Sequence, residues 1–320
     1  MNRLSMNRSQ SAYPPINTIN PGPPRRAFAM GLMVVSSIVI SFGGLIIRNI
    51  EDADSWQINL YRSVALVTAV TLILLYQYRG MAITYVRGIG RSGVVGGVML
   101  AMAGITFLQS LTHTTVANTL FILSAIPFFA AGLARVFLKE RLQRATLVAM
   151  VVAATGIVIM LSEGFGIGSA YGNAMALITA FCFASFAVIV RRNRQTDMLP
   201  TVLVSGVCIA LVTFLARIGD LGVSLHDLLL SFLWGGLLSG LANWMFVIAA
   251  RHLAAAEVTL FMLLEFALGP LWVWLFVGEV PSRWTLLGGA LVISSVAVRT
   301  LLELRRSKLT RAARSIPEKG

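Results

Sequence analysis

GGVMLAMAGITFLQSLTHTTVAN (96–118) and GGLLSGLANWMFVIAARHLAAAE (235–257) are two versions of one stretch. Shifted by 139 residues, Gly96 and Gly97 fall on Gly235 and Gly236, Ala103 on Ala242, Phe107 on Phe246, His113 on His252 and Ala117 on Ala256. The same gap-free offset carries Phe137, Glu140, Arg144, Thr146 and Leu147 onto Phe276, Glu279, Arg283, Thr285 and Leu286. Upstream, a slightly different offset sets Ser41-Phe42 on Ser185-Phe186 and Arg48 on Arg192. A register held this far marks an internal repeat.

The repeat lies in a chain of 320 residues that is 57% hydrophobic and 12% charged, with mean hydropathy +0.81. Soluble domains run at roughly 45–50% apolar and about 25% charged, so a bilayer rather than a globular core must take up this surface. A spanning helix needs about 20 mostly apolar residues. Ten stretches qualify, near 28–47, 59–78, 93–112, 115–137, 145–161, 170–190, 199–217, 228–250, 255–277 and 284–302. The runs are continuous rather than alternating, which argues against barrel strands. The expected fold is therefore an all-α integral membrane protein of ten transmembrane helices in two five-helix repeats, 28–161 and 170–302. Five is odd, so the second copy enters the bilayer from the opposite side. Inverted repeats of this kind let two halves exchange conformations, which is a basis for alternating access.

Lys and Arg collect on the non-translocated side of a membrane. With both termini cytoplasmic, 22 of the 26 basic residues fall inside, Arg48, Arg217 and Arg283 fall outside, and Arg62 lies within the second span. The net charge of +13 thus reads as topology. A nucleic-acid surface would need one contiguous basic face, and these charges are scattered. Residues 1–27, rich in Pro, Ser and Asn, read as a disordered cytoplasmic tail without a signal-peptide pattern, and 303–320 as a basic cytoplasmic tail. Cys182 and Cys208 sit in apolar runs and form no disulfide framework. A multi-pass protein of a bacterial inner membrane fits this picture.

Two further stretches, IPFFAAGLARVFLKERLQRATLVAMVVAATGIVIM (126–160) and LEFALGPLWVWLFVGEVPSRWTLLGGALVIS (264–294), close the fourth and ninth spans and open the fifth and tenth. With Arg62 in NLYRSVA, they resemble the EamA-type branch of the drug/metabolite transporter superfamily. The resemblance covers roughly 28–302. In the first half Glu140 follows Pro127 by thirteen residues. The second half departs from the pattern, with Glu265-Phe266 where Glu-Pro is usual and its proline at Pro270. The resemblance implies export of small metabolites, with neutral and aromatic amino acids as the leading substrate. Import or export of a vitamin, a nucleoside or a drug-like cation, with proton coupling, is the alternative.

Spans five and ten are nearly free of polar groups, which suits lipid or a subunit interface. The other eight are expected to surround a central cavity. Its candidate substrate ligands are Glu265, Asn118, Asn243, Gln109, Ser41, Ser185, Ser239, Trp244 and Arg62. Glu265 stands near the middle of an apolar helix, eight residues after Glu257. A carboxyl there binds a substrate ammonium, carries a coupling proton, or packs as a hydrogen-bonded group. Arg62 either meets a substrate carboxylate or snorkels. Asn118 and Asn243 either face substrate or bond between helices. Trp234, Trp244, Trp272 and Trp274 either stack on an aromatic ligand or pack. His113 and His252 read as interfacial or turn residues. Glu140 with Arg144, and Glu279 with Arg283, read as i,i+4 pairs or caps. Pro127 and Pro270 are candidate hinges.

No H-E-x-x-H and no phosphate loop is present, so an enzyme, a metal and a cofactor are not expected. GFGIGS at 164–169 reads as a turn. A channel would build its filter from rings of equivalent groups, which an asymmetric five-plus-five chain does not offer. The expected partners are a small-molecule substrate and the bilayer, not nucleic acid, with the chain a monomer or homodimer.

Overall fold

In a computed structural model, residues 26–78, 86, 88–139, 144–163, 167–193, 199–250 and 255–314 are described. The tail before Arg26, Glu140, His252 and the first part of GFGIGS lie outside them. All regular structure among the described residues is helical. Eight helices are long and apolar enough to cross a bilayer, and two shorter apolar ones, Arg144–Met160 and Phe261–Val277, complete ten spans.

Span one is Arg26–Ser41 followed by Gly43–Arg48, broken at Phe42. Span two is Ser55–Tyr78 and span three Gly90–His113. Span four is also broken, into Val116–Leu123 and Ile126–Phe137, with Pro127 in the first turn of the second piece. There its missing N–H would have had no helical acceptor anyway. Spans five, six and seven are Arg144–Glu163, Ile167–Arg192 and Leu199–Ala216. Span eight begins at Leu225, passes through a π-helical turn at Leu233–Ser239 and ends at Ala250. Span nine, Ala255–Val277, runs through Pro270 without interruption. Span ten starts at Arg283 and continues to Arg314, so the first part of the basic tail is helical.

The packing obeys an approximate two-fold. Span one lies against eight and nine, and its counterpart six lies against three and four. Spans two and seven pack together, as do five and ten. The repeated glycine pairs show why. A side chain on Gly97 would meet Val204 and the carbonyl oxygen of Thr201 in span seven. One on Gly236 would meet Ala65 in span two, and one on Gly235 would overlap the main chain of Arg62. The 139-residue shift carries Arg62 onto Thr201 and Ala65 onto Val204. Small residues allow this close approach, which supplies dispersion contacts where lipid offers no hydrophobic drive. Spans five and ten meet at Gly156 and Gly288, each against the other's carbonyl oxygen. Their other faces carry exposed Val148, Val151, Leu287 and Val298, suited to lipid.

One set of polar links between the first and second half lies at a rim formed by 49–54, 114–115, 217–224 and 278–282. Arg48 donates from Nε to Glu279 Oε2 (2.7 Å), from Nη1 to Leu111 O (3.0 Å) and from Nη2 to Thr114 O (2.9 Å). Glu279 Oε1 accepts from the Val116 amide at 2.8 Å. Glu279 therefore joins spans one, four and nine instead of pairing with Arg283 one turn on. Asp227, fully buried, accepts from the amides of Glu51, Asp52 and Ala53 at 3.1, 2.9 and 2.8 Å. Arg217 and Asp54 form an ion pair.

Candidate functional site

Trp234 stands where spans one, two, three and eight converge. It is 2% exposed, and it is the second residue of the π-helical turn. Gly43 of span one leaves room for it, since a side chain there would press on its indole. Phe107 of span three meets it edge-on, with centroids 6.5 Å apart. From span two, the Arg62 guanidinium lies over the ring at 4.7 Å. Stacking a cation on an indole is worth ~0.5–2 kcal/mol, rising as water is excluded. π-Turns recur at functional sites in helices because they re-aim side chains.

Arg62 Nη2 donates to Asn59 Oδ1 at 3.2 Å and lies 3.4 Å from Gly104 O. A side chain on Gly104 would press on the Ile209 Cδ1 methyl at 2.8 Å, so the small residue lets span three approach span seven beside the guanidinium. Asn59 has no exposed surface, and its Nδ2 has no partner among the described residues. The guanidinium meets no carboxylate among the described residues, and this leaves its charge available to an anionic group. Arg62 and Asn59 thus set hydrogen-bond donors beside the buried indole of Trp234.

Glu265 is half-buried in span nine. It shares a helix face with Phe261, four residues before, and Trp272, seven after. Both of these engage span one. Ser37 Oγ donates to Phe261 O at 3.0 Å, and Trp272 Nε1 donates to Ser41 Oγ at 2.9 Å. Trp272 also stacks on Phe42 with centroids 5.1 Å apart and planes 7° apart. Glu265 therefore lies on the seam between spans one and nine, between two polar anchors. Its carboxyl has no hydrogen bond or ion pair among the described residues.

The remaining candidates scatter. Ser41 serves the Trp272 anchor and donates to Ile38 O. Asn118 is buried at the span-four end, accepting from Thr285 Oγ1 at 2.6 Å and donating to Thr114 Oγ1 at 3.3 Å, so it bonds between helices. Ser185 donates to Phe181 O within its own helix. Ser239 closes the π-turn. Trp244 is 46% exposed and aligned with exposed Leu241, so it faces outward, away from Arg62. Trp274 is also exposed. Asn243 and Glu257 lie in helices, but their side chains are outside the described residues. Gln109 lines a separate cavity of about 570 Å³ at the Arg48 rim, together with Asp54, Ser55, Trp56, His113 and Tyr171 among others.

Sequence reasoning found Arg62 and listed Trp234 only among four tryptophans. Asn59 was missed. Its signal was available: Asn59 precedes Arg62 by three residues, so both lie on one helix face. No group of three or more His, Cys, Asp or Glu able to hold a metal occurs among the described residues.

The chain is 27% identical over 219 residues to a riboflavin transporter of Rhizobium johnstonii, covering 66% of this chain and 70% of that protein. It is 26% identical over 199 residues to the uncharacterized transporter YdfC of Bacillus subtilis, covering 59% and 63%. A solved crystal structure matches at a TM-score of 0.62 and 19% identity, over 87% of this chain and 98% of that one, which shows a shared fold. The EamA-like transporter family matches twice, at 27–162 and at 170–301. The chain is a multi-pass membrane protein and belongs to the EamA-like transporter family.

Proposed function

We propose that this transporter exports neutral and aromatic amino acids by alternating access, with Arg62, Trp234 and Glu265 as the groups that read the solute. The observation that carries this reading is the Arg62 guanidinium over Trp234, beside the partnerless Asn59 amide. A carboxylate suits the guanidinium, and an aromatic solute would reach the indole, buried in this conformation, as the helices around Trp234 part. Glu265 supplies a negative group for an ammonium, or a proton acceptor for coupling. The pseudo-two-fold packing supports exchange of roles between the halves. In this reading the Arg48 rim faces away from the cytoplasm of a bacterial inner membrane, and both termini lie inside.

A second reading, transport of a flavin-type vitamin, draws support from the riboflavin transporter among the relatives. Its planar rings would use the same indole. Purified protein in liposomes, offered L-tryptophan, L-leucine and riboflavin with and without an imposed pH gradient, separates the two. Saturable tryptophan uptake supports the first reading. Saturable riboflavin uptake without tryptophan uptake supports the second, and uptake of none of the three contradicts both.

A further inference from the structure

The rim cavity lies apart from the convergence of helices at Trp234. Spans two, three and six wall it, and Arg217, at the end of span seven, completes it. Its volume of about 570 Å³ is within the ~300–1,000 Å³ of small-molecule sites. Three rings face it: Trp56, His113 and Tyr171. Tyr171 is held by an edge-on contact with His113, with centroids 4.8 Å apart. Nδ1 of His113 lies 2.8 Å from Gln109 O, so that nitrogen carries the hydrogen and a neutral ring keeps Nε2 as an acceptor.

The two charged groups lining the cavity, Asp54 and Arg217, pair with each other, and Arg217 Nη1 also lies 3.5 Å from Asp220 just outside it. An ion of either sign entering it would meet charged groups that are already paired. Its other polar groups are hydroxyls and an amide. Gln109 donates from Nε2 to Ser55 Oγ at 2.9 Å, and its Oε1 has no partner among the described residues. This bond bridges spans two and three at the cavity floor. Asn59 stands one turn below Ser55, about 6 Å along the helix. Gly104 stands about 7.5 Å below Gln109 by the same rise. Both neighbour Arg62. The Arg62 group thus lies one to two helical turns from the cavity lining, past the Gln109–Ser55 bond.

We propose that this cavity is a second solute site that holds a neutral or zwitterionic aromatic molecule against Trp56 and Tyr171, one stage removed from Arg62. The proposal rests on the aromatic-solute reading above and adds where the solute pauses and which charge types are refused.

The test is equilibrium binding of radiolabelled L-tryptophan, and in parallel riboflavin, to the purified full-length protein in detergent. Two binding components are expected for the probe that binds. Thr112→Trp, which fills the cavity, is expected to remove the weaker one. Tyr171→Leu, which keeps the backbone free of strain, is expected to weaken the same component. Arg62→Gln is expected to remove the tighter component and spare the weaker. Against the weaker tryptophan component, tryptamine and indole-3-propionate should compete at least about tenfold less well than unlabelled tryptophan, because each brings one uncompensated charge. A single component that neither Thr112→Trp nor Tyr171→Leu alters would overturn the cavity site and leave the substrate reading standing. Equal competition by all three indoles would overturn the charge selectivity. Absence of binding by both probes would overturn the substrate reading together with the site.

Discussion

Gly235 rests against the main chain of Arg62, so closely that a side chain at that position would overlap the arginine's carbonyl. This contact brings span eight onto span two and lays Trp234 under the guanidinium. Its counterpart, Gly96 against Thr201, is looser, with the nearest atom a methyl at 3.3 Å. The two halves therefore share a packing device but differ in the residue it presents.

That difference predicts unequal costs. Gly235→Ala forces an overlap with backbone and should destabilise by ~1–3 kcal/mol, whereas Gly96→Ala meets a movable methyl and should cost less than ~1 kcal/mol. Thermal midpoints in detergent, read by size-exclusion, should fall further for Gly235→Ala. Equal midpoints would contradict the asymmetry.

Asp227 has no exposed surface, and it collects three amides from the loop that joins spans one and two. Asp227→Asn replaces an acceptor oxygen with a donor facing those amides. The expected loss is ~2–4 kcal/mol, since buried donors are left unpaired. Hydrogen exchange at residues 51–53 should rise in parallel. Unchanged stability and exchange would count against the role.

Arg48 and Glu279 are 24% and 19% exposed at their side chains, between the surface and buried extremes. A double-mutant cycle with Arg48→Gln and Glu279→Gln should give a coupling of ~1–2 kcal/mol. Arg283→Ala should change stability by less than ~0.5 kcal/mol, as expected of a surface charge outside the pair. A larger effect of Arg283 than of Arg48 would restore the local i,i+4 pair in its place.

Much of this was legible beforehand, and the failures have physical causes. The ten spans follow from apolar run length, and the repeat from a single register. Arg62 stood out because charge is costly inside a bilayer. Glu279 was misassigned because sequence spacing shows only neighbours on the same helix, whereas Arg48 reaches it from 231 residues away. Trp234 and Trp244 were indistinguishable in sequence, since both sit in one apolar run. In the structure Trp234, within the π-turn where Gly235 meets span two, lies inward, while Trp244 faces out. The break at Phe42 carries no proline, but Ser41 and the pair Gly43-Gly44 flank it, a local signal that the apolar run concealed. It coincides with the stacking of Phe42 on Trp272, a contact between spans one and nine.

Glu265→Gln keeps the shape of the side chain on the seam between spans one and nine and removes its charge. Expression and thermal midpoint should hold within about 1 kcal/mol, as for a nearly isosteric change. Solute flux should fall, and any stimulation by a pH gradient should vanish. Retained stimulation would exclude Glu265 as the coupling group.

Counterflow in proteoliposomes tests the central claim most directly. Vesicles loaded with unlabelled L-tryptophan, and in a parallel set with riboflavin, are diluted into a trace of the same labelled solute. Alternating access through the Arg62–Trp234 site predicts a transient overshoot of label for the transported solute, lost in Arg62→Gln protein that still folds. A linear, unsaturable entry of label without overshoot for either solute, or an overshoot untouched by Arg62→Gln, would contradict it.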